Sequence, residues 1–262
     1  NPQIFSVQVL DLAQPSLCRF YPRSYINMDR DRFDRWLLSL VPAARIRRGC
    51  RVVSAEQTED GWHLLHYRRD GRHRTLAARC LVGADGGQSL VRRTFFPEQV
   101  IRRYAAVQEW YAAQDAPPVY SALFDREITD CTGWMIAKNG IRMLGAALPP
   151  EGAAARFDQL KNKLMQNGIH LGPCIRREGC IVNRPAGIMQ LCLGDSGVFL
   201  IGEAAGWISP SSLEGISWAL KSGAILAKCL AGSKALNAAG LAEIQKQYRF
   251  QTVGLRRKLA AK

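Results

Sequence analysis

Two carboxylates stand where short apolar runs of this sequence end. Asp85 follows residues 81–84 and precedes two glycines, and Glu203 follows residues 198–202 and precedes two alanines. A strand that ends in a carboxylate among residues with little or no side chain lets the backbone approach a nucleotide closely. Each run therefore predicts a strand, a turn and a polar nucleotide contact. For Asp85 the alternative is an Asp-Gly turn that only stabilises its loop.

A helix is predicted after the second carboxylate. Ser211, Ser212, Leu213 and Glu214 fit a capping box, and apolar residues recur at helical spacing as far as Leu230. The N-terminus of a helix over residues 212–230 would favour a nearby anionic group by about 0.3–2 kcal/mol. A capped helix of the core is an alternative that does not exclude this role.

Together the two turns resemble a known family. The string from Gly83 to Arg92, the Gly202-Glu203 turn and the Pro210 segment resemble, in this order, the two later FAD-contacting motifs of flavoproteins that include geranylgeranyl reductases and aromatic-ring hydroxylases. The resemblance implies a mixed α/β fold. That fold is a Rossmann-like FAD/NAD(P)-binding domain of the hydroxylase type with an inserted antiparallel-sheet substrate domain. The cofactor contacts it implies are Arg30, Asp85, Gly86, Arg92, Gly202, Glu203, Ala204, Ala205, Pro210, Gly215 and Ile216.

The family assigns a role to several of these side chains. Asp85 would contact the FAD ribose and pyrophosphate while Arg92 anchors the turn after it, and Arg30 would face the pyrophosphate or the ribityl chain. Relatives usually carry aspartate where this chain has Glu203, which would accept a bond from a ribityl hydroxyl. Because glutamate is one methylene longer, its carboxylate must sit back or tilt.

The first FAD motif of this family is absent from the sequence. No Gly-x-Gly-x-x-Gly turn occurs, and the first glycine is Gly49. In relatives this turn places the pyrophosphate on a helix N-terminus. We therefore expect the chain to begin after the first βαβ unit, as a fragment or a shortened relative. One alternative function is then a non-catalytic remnant with weak or no FAD binding.

Patterning divides the chain into three segments. Residues 1–98 are predicted to begin the FAD-binding domain, residues 99–190 to form the substrate domain, and residues 191–262 to complete the FAD-binding domain. The middle segment alternates in period two and contains one amphipathic helix over residues 154–166. A three-stranded meander is expected within residues 52–78, with turns at Gly61 and Gly71.

The substrate domain offers an aromatic set as a candidate pocket. Trp134 matches the tryptophan of the Tyr-x-Trp-x-Phe-Pro signature of geranylgeranyl reductases, and Trp110 and Phe124 join it as pocket candidates. An aromatic sheet face packed on a core is the alternative. His63 and His66 should face opposite sides of a strand, which argues against a shared metal.

Composition limits the class of protein. The 262 residues carry a net charge of +14 and 47% hydrophobic residues, which predicts a globular chain. Its eight cysteines are dispersed, and no apolar run approaches the roughly 18 residues of a membrane span. We expect a cytoplasmic protein without a nucleic-acid partner. Its basic residues 241–262 are candidates for peripheral membrane contact, and a solvated basic surface is the alternative.

The resemblance implies an oxidoreductase. Reduced FAD would pass hydride from N5 to a double bond of a small hydrophobic substrate, with prenyl compounds a candidate class and NAD(P)H a candidate electron donor. A flavin monooxygenase that hydroxylates an aromatic or polyketide-like substrate is the alternative enzyme.

Overall fold

The computed structural model describes residues 4–113 and 117–261, which form two compact units. The first unit contains the described parts of Asn1–Ile46 and Tyr104–Ile181, and the second those of Arg47–Arg103 and Val182–Lys262. Among the described residues, no helix combines the length and apolar character needed to cross a bilayer.

In chain order the described strands are β1 (Ile4–Asp11), β2 (Arg19–Tyr25), β3 (Arg51–Gln57), β4 (His63–Arg69), β5 (Arg72–Ala78), β6 (Leu81–Gly83), β7 (Arg103–Ala112), β8 (Val119–Phe124), β9 (Gly133–Lys138), β10 (Ile141–Leu148), β11 (Cys174–Asn183), β12 (Gly194–Asp195) and β13 (Val198–Leu200). The α-helices are α1 (Arg30–Ser39), α2 (Leu90–Phe95), α3 (Ala153–Gln166), α4 (Ile216–Ala231), α5 (Ala238–Gln251) and α6 (Val253–Ala260).

The first unit is built on a seven-stranded sheet in the order β11-β7-β10-β9-β8-β1-β2. Strands β7, β10, β9 and β8 pair antiparallel in that order, whereas β1 runs parallel to β8. Helix α3 packs Phe157, Leu160 and Leu164 on one face of this sheet. That face includes Leu144 and Leu148 of β10, which are fully buried.

Two strands of this sheet were not predicted from the sequence. β2 contains Pro22 and lies at the sheet edge, where a residue without a backbone N–H is tolerated. β11 forms the opposite edge and is exposed over most of its length. The predicted first segment, residues 1–98, is divided between the units: its described residues up to Ile46 belong to the first unit, where β1 pairs with β8, and the residues from Arg47 belong to the second.

The second unit contains two small sheets. β12, β13 and β6 form one, with β6 and β13 parallel, and β3, β4 and β5 form the predicted meander. Its turns are those expected, because Gly61 and Gly71 have φ of +75° and +73°. The core of this unit surrounds the fully buried Phe199, Trp207 and Tyr248.

Candidate functional site

The two predicted turns leave adjacent parallel strands at the same edge of a sheet. Leu81 lies beside Val198 and Gly83 beside Leu200, so β6 and β13 end side by side. Asp85 and Glu203 each come within three residues of these strand ends. In open α/β sheets, ligands bind in the crevice beyond the carboxyl ends of parallel strands. The register therefore brings both carboxylate turns to the edge where a nucleotide would bind.

A glycine is required inside β6 for this close approach. A Cβ at Gly83 would lie 2.6 Å from Leu200 Cδ2 and 2.9 Å from Val91 Cβ. Both distances are far below van der Waals contact, so a larger residue would force Leu200 and Val91 to move. The strand-ending glycine is therefore a packing requirement of the site.

Asp85 is held by the beginning of α2. Its Oδ2 accepts the backbone N–H groups of Leu90 at 2.7 Å and Val91 at 3.2 Å. Ser89 caps the same helix by accepting the Arg92 N–H at 2.9 Å. Gly86 has φ of +73° and makes the turn possible. The aspartate is exposed, so its position is set by α2 while its carboxylate faces solvent.

Arg92 joins the two turns from inside the protein. Its side chain is only 4% exposed and donates to three backbone carbonyls: Gln99 at 3.2 and 2.9 Å, Gln190 at 2.8 Å, and Ala204 at 3.1 Å. Burial lowers the pKa of this guanidinium. Arg92 anchors the region after the first turn, and the protein's own carbonyls occupy its nitrogens. The cofactor-binding role of Arg92 stays a prediction.

The second turn is a short 3-10 segment over Gly202–Ala205. Gly202 has φ of +55°, and its N–H donates to Ser222 Oγ at 2.9 Å. The methyl groups of Ala204 and Ala205 are fully buried in the core of the second unit. Their small size thus serves the packing of this turn.

Glu203 turns its carboxylate toward β11. Glu203 Oε1 accepts the Asn183 backbone N–H at 2.8 Å, and Asn183 Nδ2 donates to the Glu203 carbonyl at 3.0 Å. Burial raises the pKa of the Glu203 carboxyl, and the bond from Asn183 opposes that rise. Asn183 Oδ1 is buried without a hydrogen-bond partner among the described residues. Sequence reasoning missed Asn183, because the strand that it ends, β11, was not predicted.

The predicted capping box is wrong, because α4 begins at Ile216 and not at Ser212. Leu213 has φ of +54°, which interrupts a helix at that point. Ser212 donates its N–H to Ser209 Oγ at 3.3 Å, so the serines close a turn before the helix. Gly215 precedes α4 without a side-chain cap. The first N–H groups of α4 therefore lack the side-chain acceptor that the capping box would have supplied.

Arg30 belongs to the first unit. It is the first residue of α1 and forms an exposed pair with Asp34 at 3.4 Å. Surface pairs of this kind contribute little to stability. The cofactor-binding role of Arg30 stays a prediction.

The three predicted pocket residues lie on one face of the seven-stranded sheet. Trp110 is opposite Met143, and Trp134 is opposite both Gly145 and Ala122. Phe124 is two residues beyond Ala122 in β8 and therefore points to the same side. This aromatic face is opposite the face that α3 covers. Leu123 lies between Ala122 and Phe124 in β8, points to the other side of the sheet and packs under α3, as does Leu144 of β10.

Trp134 is fixed on this aromatic face by two residues that sequence reasoning did not identify. Its Nε1–H donates to Gln108 Oε1 at 2.9 Å. A Cβ at Gly145 would lie only 2.3 Å from the indole, so the ring rests directly on the glycine backbone. The Trp134 ring therefore has a defined orientation.

The two meander histidines face opposite sides, as expected. His63 is fully buried, whereas His66 is partly exposed and contacts Glu56 at 3.1 Å. Within residues 4–113 and 117–261, no group of three or more His, Cys, Asp or Glu side chains is arranged to hold a metal ion.

Comparisons with known proteins connect this geometry to flavoproteins. Residues 15–114 match the family described as FAD binding domain. Protein CbrA of Escherichia coli O9:H4 (strain HS) is 46% identical over 229 residues, covering 86% of this chain and 62% of that protein. Protein CbrA of Shigella sonnei (strain Ss046) is 45% identical over 233 residues, covering 88% of this chain and 65% of that protein. The chain thus spans less than two thirds of the length of these relatives.

Solved structures share the fold at low sequence identity. A geranylgeranyl bacteriochlorophyll reductase-like protein from Thermoplasma acidophilum superposes with a TM-score of 0.76 and 17% identity, covering 98% of this chain and 68% of that chain. PqsL from Pseudomonas aeruginosa, a probable FAD-dependent monooxygenase, superposes with a TM-score of 0.65 and 17% identity, covering 99% and 76%. The chain therefore has the mixed α/β fold of FAD-dependent oxidoreductases and monooxygenases, and these matches support FAD as the cofactor.

Proposed function

We propose that this chain carries part of the FAD site and the substrate domain of an FAD-dependent oxidoreductase. The observation that supports this most strongly is the parallel register of β6 and β13, which sends both carboxylate turns to one sheet edge. The residues we assign to the cofactor there are Asp85, Gly86, Gly202, Glu203, Pro210, Gly215 and Ile216. Arg30 is a candidate cofactor contact on the family resemblance alone.

The second unit has features that fit such a cofactor. α4 begins at Ile216 with no side-chain cap, and exposed N–H groups at a helix N-terminus favour an anionic partner. Asn183 Oδ1 is a buried acceptor without a partner in the described chain, next to the Glu203 carboxylate. A bound hydroxyl-bearing chain would supply the donor that this acceptor lacks.

FAD supplies the redox chemistry when bound: it accepts electrons from a donor, for which NAD(P)H is our candidate, and passes them on as hydride or to oxygen. The chain's own part is to bind and orient. The α4 N-terminus stabilises negative charge near Ile216, and Asn183 fixes the direction of the Glu203 carboxylate. In the second unit, Arg92 holds the Ala204 carbonyl in place, which keeps the second turn in shape.

The aromatic face of the first unit supports a hydrophobic substrate. Trp110, Trp134 and Phe124 offer partly exposed ring area, and the Trp134 indole is held by Gln108. Apolar rings with a few fixed polar groups are the usual lining of small-molecule sites. Reduction of a double bond in such a substrate is our first candidate reaction, with prenyl-type compounds as a candidate class. Hydroxylation of an aromatic or polyketide-like substrate is the second, because the same fold occurs in a probable monooxygenase.

Gly215 provides a sharp test of the cofactor site. A Cβ there would lie 3.8 Å from Ile208, which is ordinary contact, so Gly215→Ala leaves the protein's own packing undisturbed. If a flavin lies along this glycine, the added methyl group should weaken FAD binding about tenfold, or ~1.4 kcal/mol. Gly254→Ala is the matched control, because a Cβ at that position meets nothing within 4 Å.

The measurement is a titration of FAD followed by flavin fluorescence, on this chain and on the longest product of its gene. Binding that Gly215→Ala weakens and Gly254→Ala leaves unchanged supports the assignment. Absence of saturable FAD binding in both forms would contradict the oxidoreductase and favour the non-catalytic alternative. If the longest gene product binds FAD and this chain does not, the site needs residues outside this chain.

Oxygen dependence separates the two reactions. With a bound flavin, a reductase consumes its electron donor and reduces its substrate under anaerobic conditions. A monooxygenase forms product only when oxygen is admitted. Parallel anaerobic and aerobic turnovers with NAD(P)H therefore decide between the two candidates.

A further inference from the structure

A second pocket lies in the first unit, on the face of the seven-stranded sheet that carries α3. It is partly open to solvent and has a volume of about 200 Å³. Three neighbouring strands form its floor. Gln8 of β1 pairs with Ser121 of β8, and Ser121 pairs with Met135 of β9. In the adjacent row Ala137 pairs with Arg142, and both line the same pocket. We call this the back-face pocket.

The back-face pocket is separate from the aromatic face. Side chains alternate along a strand, so Met135 points away from Trp134 and Arg142 points away from Met143. Leu144, two residues from Arg142, is fully buried under α3 and confirms which side this is. A ligand in this pocket would not compete with one that contacts Trp134.

The lining combines apolar surface with one cation at its border. Met135, Ala137 and Val119 supply apolar area. Arg142 Nη1 donates to the His170 carbonyl at 2.9 Å, which fixes the guanidinium and uses one of its five N–H groups. In the part of the chain that the structure describes, no carboxylate forms an ion pair with Arg142.

Ser121 and Gln8 form a hydrogen-bonded polar pair in the floor of the pocket. Ser121 is 3% exposed, and its hydroxyl donates to Gln8 Oε1 at 2.8 Å. Gln8 Nε2 in turn contacts Cys18 Sγ at 3.2 Å. The amide and hydroxyl are therefore pre-oriented beneath an apolar lining, and such groups fix the orientation of a bound molecule.

We infer that the back-face pocket binds a small apolar monocarboxylate, with the carboxylate on Arg142 and the apolar body over Met135 and Ala137. An engineered apolar cavity of about 150 Å³ accepts benzene, so the observed volume suits one ring or a short branched chain. A guanidinium bonds a carboxylate through two parallel N–H groups. An inorganic anion would leave the apolar lining wet, and a hydrocarbon would leave Arg142 without a counter-charge. This inference does not depend on FAD binding.

Benzoate is a suitable probe, with benzamide as its uncharged analogue of the same shape. We expect saturable benzoate binding by calorimetry, and binding of benzamide at least tenfold weaker. Arg142→Gln should reduce benzoate affinity at least tenfold and make the two probes equivalent. Ala137→Leu, which places a larger side chain in the pocket, should abolish binding of both.

Arg176→Gln is the matched control, because Arg176 lies over the Trp110 ring at 5.1 Å on the aromatic face and loses the same charge. Benzoate binding should be unchanged in this variant. Equal affinity for benzamide and benzoate, benzoate binding that survives Ala137→Leu, or a loss in Arg176→Gln as large as in Arg142→Gln would each overturn the inference. If Arg142→Gln does not fold, the Ala137→Leu and benzamide measurements still decide it.

Discussion

Replacing Arg92 should destabilise the second unit more than any replacement of a surface arginine. The side chain is 4% exposed and bonds three carbonyls, two of them far along the chain at Gln190 and Ala204. Arg92→Met keeps much of the aliphatic volume and removes every one of these bonds. The Ala204 carbonyl would then be buried without this donor, and the partly buried Gln99 and Gln190 carbonyls would lose theirs.

The cost follows from the bonds lost. A hydrogen bond from a charged donor contributes about 1.5–3 kcal/mol net. Desolvation of the buried guanidinium lowers the pKa of Arg92 in the folded state. Arg92→Met removes the cost of this desolvation. This relief offsets part of the loss, so we expect a decrease of roughly 3–5 kcal/mol in the free energy of unfolding, a large share of the ~5–15 kcal/mol of a typical domain.

The assay is urea unfolding followed by tryptophan fluorescence, since Trp207 and Trp218 are buried in the core of this unit. Arg93→Met is the matched control, because Arg93 is the exposed neighbour and donates to the Gln88 carbonyl. We expect the control to change stability by less than about 0.5 kcal/mol. A loss below ~1 kcal/mol in Arg92→Met would refute the view that this side chain holds the two turns together.

Two further predictions concern single buried contacts. His63 is fully buried with no partner for either ring nitrogen in the described chain, and burial lowers the pKa of its imidazole. The unfolded state therefore binds the proton more readily, so stability should fall as pH drops below about 6.5, and His63→Phe should lose less between pH 7 and pH 5 in urea midpoints. Gly145→Ala should displace the Trp134 indole, cost about 1–3 kcal/mol and shift tryptophan emission, whereas unchanged emission would show that the ring does not rest on the glycine.

Much of the local structure follows from sequence pattern. The meander is predictable because alternation defines its strands and the glycines at 61 and 71 supply the turns with φ above +70°. Strands β8, β9 and β10 lie in the middle segment that was predicted to form an antiparallel sheet, and they pair antiparallel. Each of these elements is defined by residues close together in the chain.

The features that escaped prediction depend on distant partners. α4 begins later than the Ser212-Leu213-Glu214 pattern indicates because Leu213 adopts φ of +54° in a turn closed by Ser209. The carbonyl partners of Arg92 lie up to 112 residues away, and no local pattern reveals them. β11 has few buried side chains, so its alternation carries no signal of its place beside β7.

Both carboxylates bond to the protein itself, and this changes what determines ligand selectivity at the sheet edge where β6 and β13 end. Asp85 Oδ2 is bonded to α2, and Glu203 Oε1 is bonded to the Asn183 N–H. Negative charge at each turn is therefore already stabilised by backbone donors before any ligand arrives. What remains for a ligand is the shape of the two turns, the exposed start of α4 and one unpaired acceptor on Asn183. Selectivity at this edge would then depend on close backbone approach, and the bond from the Asn183 N–H sets the direction of the longer Glu203 side chain.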